Sequence, residues 1–457
     1  MSNELKFYLV TDTHHYAFEK LGFAGGYDQK CMNESGAIID AAFDKFIGQD
    51  EIDIVLIAGD LTNNGERESH REFVDKLRRL KAAGKSVYLI TATHDYGLRE
   101  AKDGESDCGR ALRNELRGMY NDFGFHEAIA EYKDGLSYVA RLQPGYRLLA
   151  LNDDGNGRSF CGSDDDQLQW VLDQIKSARE DGEYLFAMTH HPVLPPSPVY
   201  PVMSKRDMHG GYETVPYLFA DAGLQFIFTG HSHMQNIGFL KTPKGNVFCD
   251  INTGSLVGYP TPIRRVTLDG EKMTVTTEKI DTFQWDFKGK EPQDYLRDHF
   301  DHLLNDIFDS MAYDFEKFAG LAGGFSMERK TAEKLKIPIK LIGKTMQKLT
   351  LGKAGRLLFV KRKIDKSVQN MLIKDLVVEI VRNIFSGNEH YSPDTAVYKA
   401  VMVLLKRLNP LLKRFVKGSD AIGDIPSFIG SLLYDDTPDT DAVIPVHKVQ
   451  DPVFSRQ

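Results

Sequence analysis

Five short apolar runs in the first half of the chain each end, within a few residues, in Asp or His, and this recurrence constrains the fold more than any bulk property. Phe7 to Val10 leads into TDTHH, Ile54 to Ala58 into GDLTNNG, Val87 to Ile90 into TATHD, Leu185 to Met188 into THHP, and Phe226 to Phe228 into TGHSHMQN. Runs this short and this apolar read as buried strands, as does a further one at Arg147 to Leu151. Between them, Ile38 to Ile47, Ser69 to Ala83, Gln167 to Ala178 and Val215 to Ala222 carry apolar residues at helical spacing. Strand alternating with helix is the pattern of an α/β domain. Open α/β sheets gather their functional groups at the carboxyl ends of strands, so the loops carrying Asp12, His14, Asp60, His94, His190, His231 and His233 are expected to converge.

Converging carboxylates and imidazoles repel one another or stay unpaired unless a cation sits among them. Two carboxylates and four imidazoles suffice for two divalent ions that share one bridging carboxylate. A single D-x-H or H-x-H is ordinarily surface or capping chemistry. The same chemistry at five strand ends is what sets this chain apart.

Written as D-x-H, GD, a degenerate GNHD, HHP and GHSH, these motifs are similar to those of the calcineurin-like metallophosphoesterases, over roughly residues 5 to 280. The resemblance implies a two-sheet sandwich flanked by helices, with a dinuclear site of Mn, Fe or Zn at one sheet edge. Carried over residue by residue, Asp12, His14 and His233 would bind one ion and His190 and His231 the other, with Asp60 bridging. His94 resembles the family histidine that protonates the leaving group, and Asn63 matches the position whose side chain orients it, although an Asn there is equally a turn residue. The spellings GDLTNNG and HHPVLP look most like class III cyclic-nucleotide phosphodiesterases, which implies a phosphodiesterase acting on nucleotide-type esters. A phosphomonoesterase, a pyrophosphatase, or a binding protein that keeps the fold without catalysis are the alternatives.

One departure stands out. Where the family has Gly-Asn-His-Asp, this chain has Ala92, Thr93, His94 and Asp95, so the amide carbonyl that ligates the second ion is missing. A Thr93 hydroxyl is a poorer donor to a hard cation, and the second ion is expected to bind more weakly. His15 and His191, next to candidate ligands, are expected to support them from outside. Loop residues Tyr16, Tyr96, Arg99, Tyr200, Lys205, Arg206, His209 and Tyr212 are available to a substrate, with no individual assigned.

From Gly238 to Ile280, segments separated by Gly or Asp-Gly turns read as antiparallel hairpins. After Asp281 the texture becomes helical, with breaks expected at Gly323 to Gly324, Gly352 to Gly355 and Ser386 to Pro393. The expected organisation is a catalytic domain at 1–284, a helical accessory domain at 285–434 and a loosely ordered tail at 435–457. Within the helical part, Lys336, Lys340, Lys344 and Lys348 recur every four residues, suited to an anionic membrane surface or polyanion, or simply to a solvated face.

The 57 basic against 65 acidic side chains, a formal charge of -8, argue against a general nucleic-acid binder. Cys31, Cys108, Cys161 and Cys249 lie far apart without metal-binding spacing and read as reduced thiols. With no apolar run near the roughly 20 residues that span a bilayer, and no secretory signal at the start, the expected setting is cytoplasmic.

Overall fold

The computed structural model describes residues 4–454 except 25–28, 98–108, 134, 156–160, 322–328, 416–423 and 438. Arg99, Cys108 and the Gly323 to Gly324 break lie outside the described residues. The chain forms two compact units, one of residues 1–196, 206–297 and 438–457, the other of 197–205 and 298–437.

In chain order the strands are β1 (Leu5–Val10), β2 (Ile54–Ala58), β3 (Ser86–Ile90), β4 (Ala128–Glu131), β5 (Tyr138–Gln143), β6 (Tyr146–Ala150), β7 (Tyr184–Met188), β8 (Phe226–Thr229), β9 (Asn236–Lys241), β10 (Val247–Asn252), β11 (Pro262–Leu268), β12 (Lys272–Lys279) and β13 (Ala442–Pro445). They build two mixed sheets, ordered β13-β12-β11-β1-β2-β3 and β4-β5-β6-β7-β8-β10-β9. Side chains alternate across each strand, so every central strand serves two interfaces. Phe7 of β1 faces the other sheet, stacking on Phe186 at 5.3 Å and meeting Phe228 edge-on at 5.5 Å. Its neighbour Tyr8 points outward and stacks on Phe46 of the helix Ser35–Ile47 at 4.6 Å. On the far side, Leu185 and Ala187 of β7 pack with Leu168 and Leu172 of the helix Asp165–Glu180 and Phe219 of the helix Val215–Ala222. The result is the expected sandwich with helices on both outer faces.

Strands β1, β2 and β3 run parallel, as do β6, β7 and β8, which collects their carboxyl ends at one edge. The hairpins β9–β10 and β11–β12 are antiparallel as expected. They do not form one meander: β10 pairs parallel with β8 in one sheet and β11 antiparallel with β1 in the other, so the chain changes sheets between Asn252 and Pro262. The hairpin β4–β5 was not evident from apolar pattern, since β4 is half exposed.

The segment read as a loosely ordered tail instead supplies β13, which pairs antiparallel with β12 from Lys272↔Pro445 to Val275↔Ala442. The reason lies in a distant residue. Arg264 is fully buried and donates to the carbonyls of Asp439 at 2.9 Å, Thr440 at 2.7 Å and Asn252 at 2.8 Å. A buried guanidinium needs such acceptors, and the returning chain provides two of them.

The second unit is helical, with Phe315–Leu321, Arg329–Lys334, Lys336–Met346, Leu351–Leu357, Ile373–Ser386 and Ile425–Leu433 among its helices. Its start at Asp298 falls inside the helix Pro292–Tyr313, later than the change of texture in the sequence. The expected break at Gly352 to Gly355 is a helix because both glycines are contact points: a Cβ at Gly352 would lie 2.8 Å from the Gln369 carbonyl and one at Gly355 2.5 Å from Ile364 Cδ1. Among the described residues no helix is long and apolar enough to cross a membrane.

Candidate metal centre

Each candidate ligand follows its strand by two or four residues, where the backbone has to bend sharply. Asp12, His14, Asp60, His231 and His233 all adopt positive φ, at 51°, 35°, 49°, 63° and 57°. Such angles cost about 1 kcal/mol or more per residue outside glycine and persist where the surroundings over-determine them. Here the restraints are hydrogen bonds between strand ends: Asp12 N to the Gly59 carbonyl at 3.1 Å, His14 N to the Asp60 carbonyl at 2.9 Å, and Gly230 N to the His190 carbonyl at 2.9 Å. Two glycines make room. A Cβ at Gly59 would sit 2.7 Å from His190 Nδ1, and one at Gly230 would sit 2.1 Å from Thr11 Oγ1 and 2.5 Å from Asp12 Oδ2.

The structure brings the six residues into two groups, Asp12 with His14 and His233, and Asp60 with His190 and His231, the donor atoms of each group lying within 4.8 Å of one another. Asp60 Oδ2 lies 3.0 Å from His190 Nε2 and 3.8 Å from His14 Nε2, between the groups. Asp12 Oδ1 lies 3.3 Å from His233 Nε2, 3.6 Å from His14 Nε2 and 3.8 Å from His190 Nε2. His14 and His233 face each other through Nε2 at 3.1 Å.

This donor set fits divalent ions. His190 donates from Nδ1 to the Ala58 carbonyl at 2.9 Å, which leaves Nε2 to meet the Asp60 carboxylate. Asp12 Oδ1 is buried and makes no hydrogen bond, an expensive condition for a polar atom in a protein interior. Burial alone would raise both carboxyls, yet the imidazoles of His190 and His233 hold Asp12, and those of His190 and His94 hold Asp60, well below the usual carboxylate range. Burial pushes His14 down to about 3 and His231 well below the ordinary imidazole value. Burial pulls His190 down, but the carboxylates of Asp60 and Asp12 raise it to about 10, so this imidazole holds the proton that a bound cation would displace.

The remaining oxygen of Asp12 is fixed, accepting from Thr11 Oγ1 at 2.7 Å and from the His231 amide at 2.9 Å. Asp60 Oδ1 accepts from the His94 amide at 3.1 Å. His94 therefore stands at the group, its ring 5.1 Å from and perpendicular to that of His14. Its Nδ1–H donates to the main-chain carbonyl of Asn63, whereas the Asn63 side chain accepts from Lys30 Nζ at 3.2 Å. Asn63 thus meets His94 through its backbone, not through the amide side chain expected from the sequence, because the loop after β2 turns that carbonyl inward. Thr93 opens the short 3-10 helix that carries His94 and Asp95.

Other supports were not singled out in the sequence. Asp95 ties the β2 and β3 loops by accepting from the amides of Thr62 and Ala92, each at 2.8 Å. Asp153 accepts from His191 twice, from its amide at 2.8 Å and from Nδ1 at 2.9 Å. His15 Nε2 pairs with Glu72 at 3.2 Å. The signal for Asp153 was present in NDDG after the fourth apolar run, a strand end like the other five. Of the loop residues, Tyr96, Tyr200 and His209 are buried, Tyr16 and Tyr212 half-buried, and Lys205 and Arg206 exposed.

A helix-flanked sandwich with facing carboxylate and imidazole groups at its strand ends defines a metal-dependent phosphoesterase framework. The family model described as calcineurin-like phosphoesterase matches residues 5–235, and the chain belongs to that family. No curated protein matches the sequence. Among solved structures, the chain is similar to a dimetal phosphatase from Danio rerio, 14% identical over 61% of this chain and 97% of that one with a TM-score of 0.45. It is also similar to purple acid phosphatase PPD1 from seeds of yellow lupin (Lupinus luteus), 15% identical over 62% of this chain and 53% of that one with a TM-score of 0.43.

Proposed function

We propose that this chain is a phosphodiesterase that hydrolyses small nucleotide-type phosphoesters with two divalent ions. The observation that carries the metal chemistry is the pair of facing groups with Asp60 Oδ2 between them. Asp12, His14 and His233 would hold one ion and His190 and His231 the other, with Asp60 shared. Bound there, the ions supply an acidified water and positive charge against the phosphoryl oxygens. The diester preference rests on GDLTNNG and HHPVLP.

The chain's own residues handle the rest. A carbonyl can only accept, so Asn63 keeps a proton on His94 Nδ1 and leaves Nε2 to serve the leaving oxygen. Asp153 and Asp95 lock the loops that carry His191 and His94. The free thiols of Cys161 and Cys249 suit a reducing compartment and support a cytoplasmic setting. The basic helix around Lys340 makes the second unit a candidate for an anionic partner.

Protein stripped with chelator is expected to lose hydrolysis of a nitrophenyl phosphodiester and to regain it with Mn²⁺; activity indifferent to chelator would sink the proposal. A panel of cyclic nucleotides, nucleotide diphosphate conjugates and phosphomonoesters then separates the substrate classes. Turnover of monoesters alone would assign a phosphatase instead.

Thr93 makes a separate prediction. Calorimetric titration should show one ion held firmly and a second held more weakly, with Thr93→Asn tightening only the second, since losing one donor from a site with few lowers affinity. Two equally tight ions, unchanged by the substitution, would show that another group already compensates.

A further inference from the structure

The helical unit exposes apolar side chains within a region of concentrated positive charge. From Arg329 to Lys363 the sequence holds twelve Lys and Arg and a single acidic residue, Glu333, itself paired with Arg329 at 3.2 Å. The helix Lys336–Met346 buries one side, where Ile339 packs and where a Cβ at Gly343 would come within 2.6 Å of the Ala312 amide. Its opposite side carries Ile337, 82% exposed, and Leu341, 66% exposed. Steps of three and four residues continue that side through Lys344 and Lys348, both exposed.

A second exposed apolar pair follows. Leu357 is 73% and Phe359 90% exposed. Phe359 also closes the helix Leu351–Leu357 in a Schellman turn, with its amide bonded to the Arg356 carbonyl at 3.1 Å and that of Val360 to the Gly355 carbonyl at 2.7 Å. The turn places Phe359 at φ 60°, a left-handed position that ordinarily takes glycine. An aromatic side chain is thus held in a disfavoured conformation and presented to water.

We propose that these segments dock on an anionic lipid surface, with Ile337, Leu341 and Phe359 entering the headgroup region and Lys340, Lys344, Lys348 and their basic neighbours facing lipid phosphates. Charge complementarity selects the occupant. A second copy would bring like charge against like, and a polyphosphate or nucleic acid gives Ile337 and Phe359 nothing apolar to enter. Basic helices with exposed apolar side chains bind anionic bilayers through both contributions at once. The proposal stands independently of the phosphoesterase reading.

The test is co-sedimentation of the full chain with vesicles of phosphatidylcholine alone or mixed with phosphatidylserine. Binding is expected to the mixed vesicles only and to weaken with salt. Replacing Lys340, Lys344 and Lys348 together by Ala should lower partitioning on the order of a hundredfold, at ~1 kcal/mol per lysine near such a surface. Phe359→Gly removes the ring while relieving the left-handed strain, so its melting temperature should be unchanged or raised while vesicle binding falls. That variant separates lost docking from lost folding. If Phe359→Gly and the double change Ile337→Ser with Leu341→Ser bind mixed vesicles like the parent, or if the parent binds polyphosphate but no vesicle, the proposal is overturned.

Discussion

Asp60→Ala is expected to lower phosphodiester hydrolysis by more than about 100-fold, the upper end of what losing a mere outer partner of a metal site costs. Its carboxylate contacts both donor groups, 3.0 Å from His190 Nε2 and 3.8 Å from His14 Nε2, and also receives the His94 amide at 3.1 Å. One substitution therefore removes the shared ligand and loosens the loop of the proposed acid. Asp60→Asn restores an acceptor for His94 without the charge. If charge shared between two ions is what matters, it too should be inactive, with bound metal reduced when measured by elemental analysis. Activity within tenfold of the parent, in a protein shown to be folded by circular dichroism, would remove Asp60 from the centre of the mechanism.

Gly230→Ala is expected to damage stability and activity together. The added methyl would lie 2.1 Å from Thr11 Oγ1 and 2.5 Å from Asp12 Oδ2, so the ends of β1 and β8 must move apart. Overpacking of this kind costs about 1–3 kcal/mol. The displaced Asp12 oxygen is the one that accepts the His231 amide, so both donor groups shift. A control lies in the helix Arg113–Met119, where a methyl at Gly118 meets nothing within 4 Å. There Gly118→Ala should stabilise by up to ~1 kcal/mol, as alanine does in exposed helix. Thermal melts and hydrolysis assays of the two variants would expose the contrast; a Gly230→Ala protein with parental melting and rate would show that the strand ends yield easily.

The strands that carry the site were legible because central strands are almost wholly apolar, as in Ile54–Ala58 and, but for its last residue, Phe226–Thr229, each buried at every position. Convergence of their ends followed from the general behaviour of parallel strands. What escaped were features whose cause is far away in sequence. The return of Asp439 and Thr440 depends on Arg264, which reads locally as an ordinary polar position in IRRVTL. The backbone contact of Asn63 to His94 depends on how a loop turns, which side-chain identity does not encode. Gly352 and Gly355 read as breaks because their neighbours Gln369 and Ile364 are absent from any local window. Exposure of Ile337 and Leu341 likewise contradicts local hydrophobicity, and only packing on the opposite side of the helix reveals it.

The pairing of β12 with β13 has a consequence for how this chain is born. The helical unit is not appended to the sandwich but inserted in it, since the sheet that begins with Leu5 is completed by Ala442–Pro445. During synthesis, β12 leaves the ribosome with an open edge, and Arg264 emerges without its acceptors at Asp439 and Thr440. At roughly 5–20 residues per second, that state lasts on the order of ten seconds or more while the helices between are made. An unpaired edge is a template for wrong partners over that interval. Newly made chains released before residue 439 should therefore be the aggregation-prone species, and the helical unit has time to fold before the domain that surrounds it in sequence is sealed.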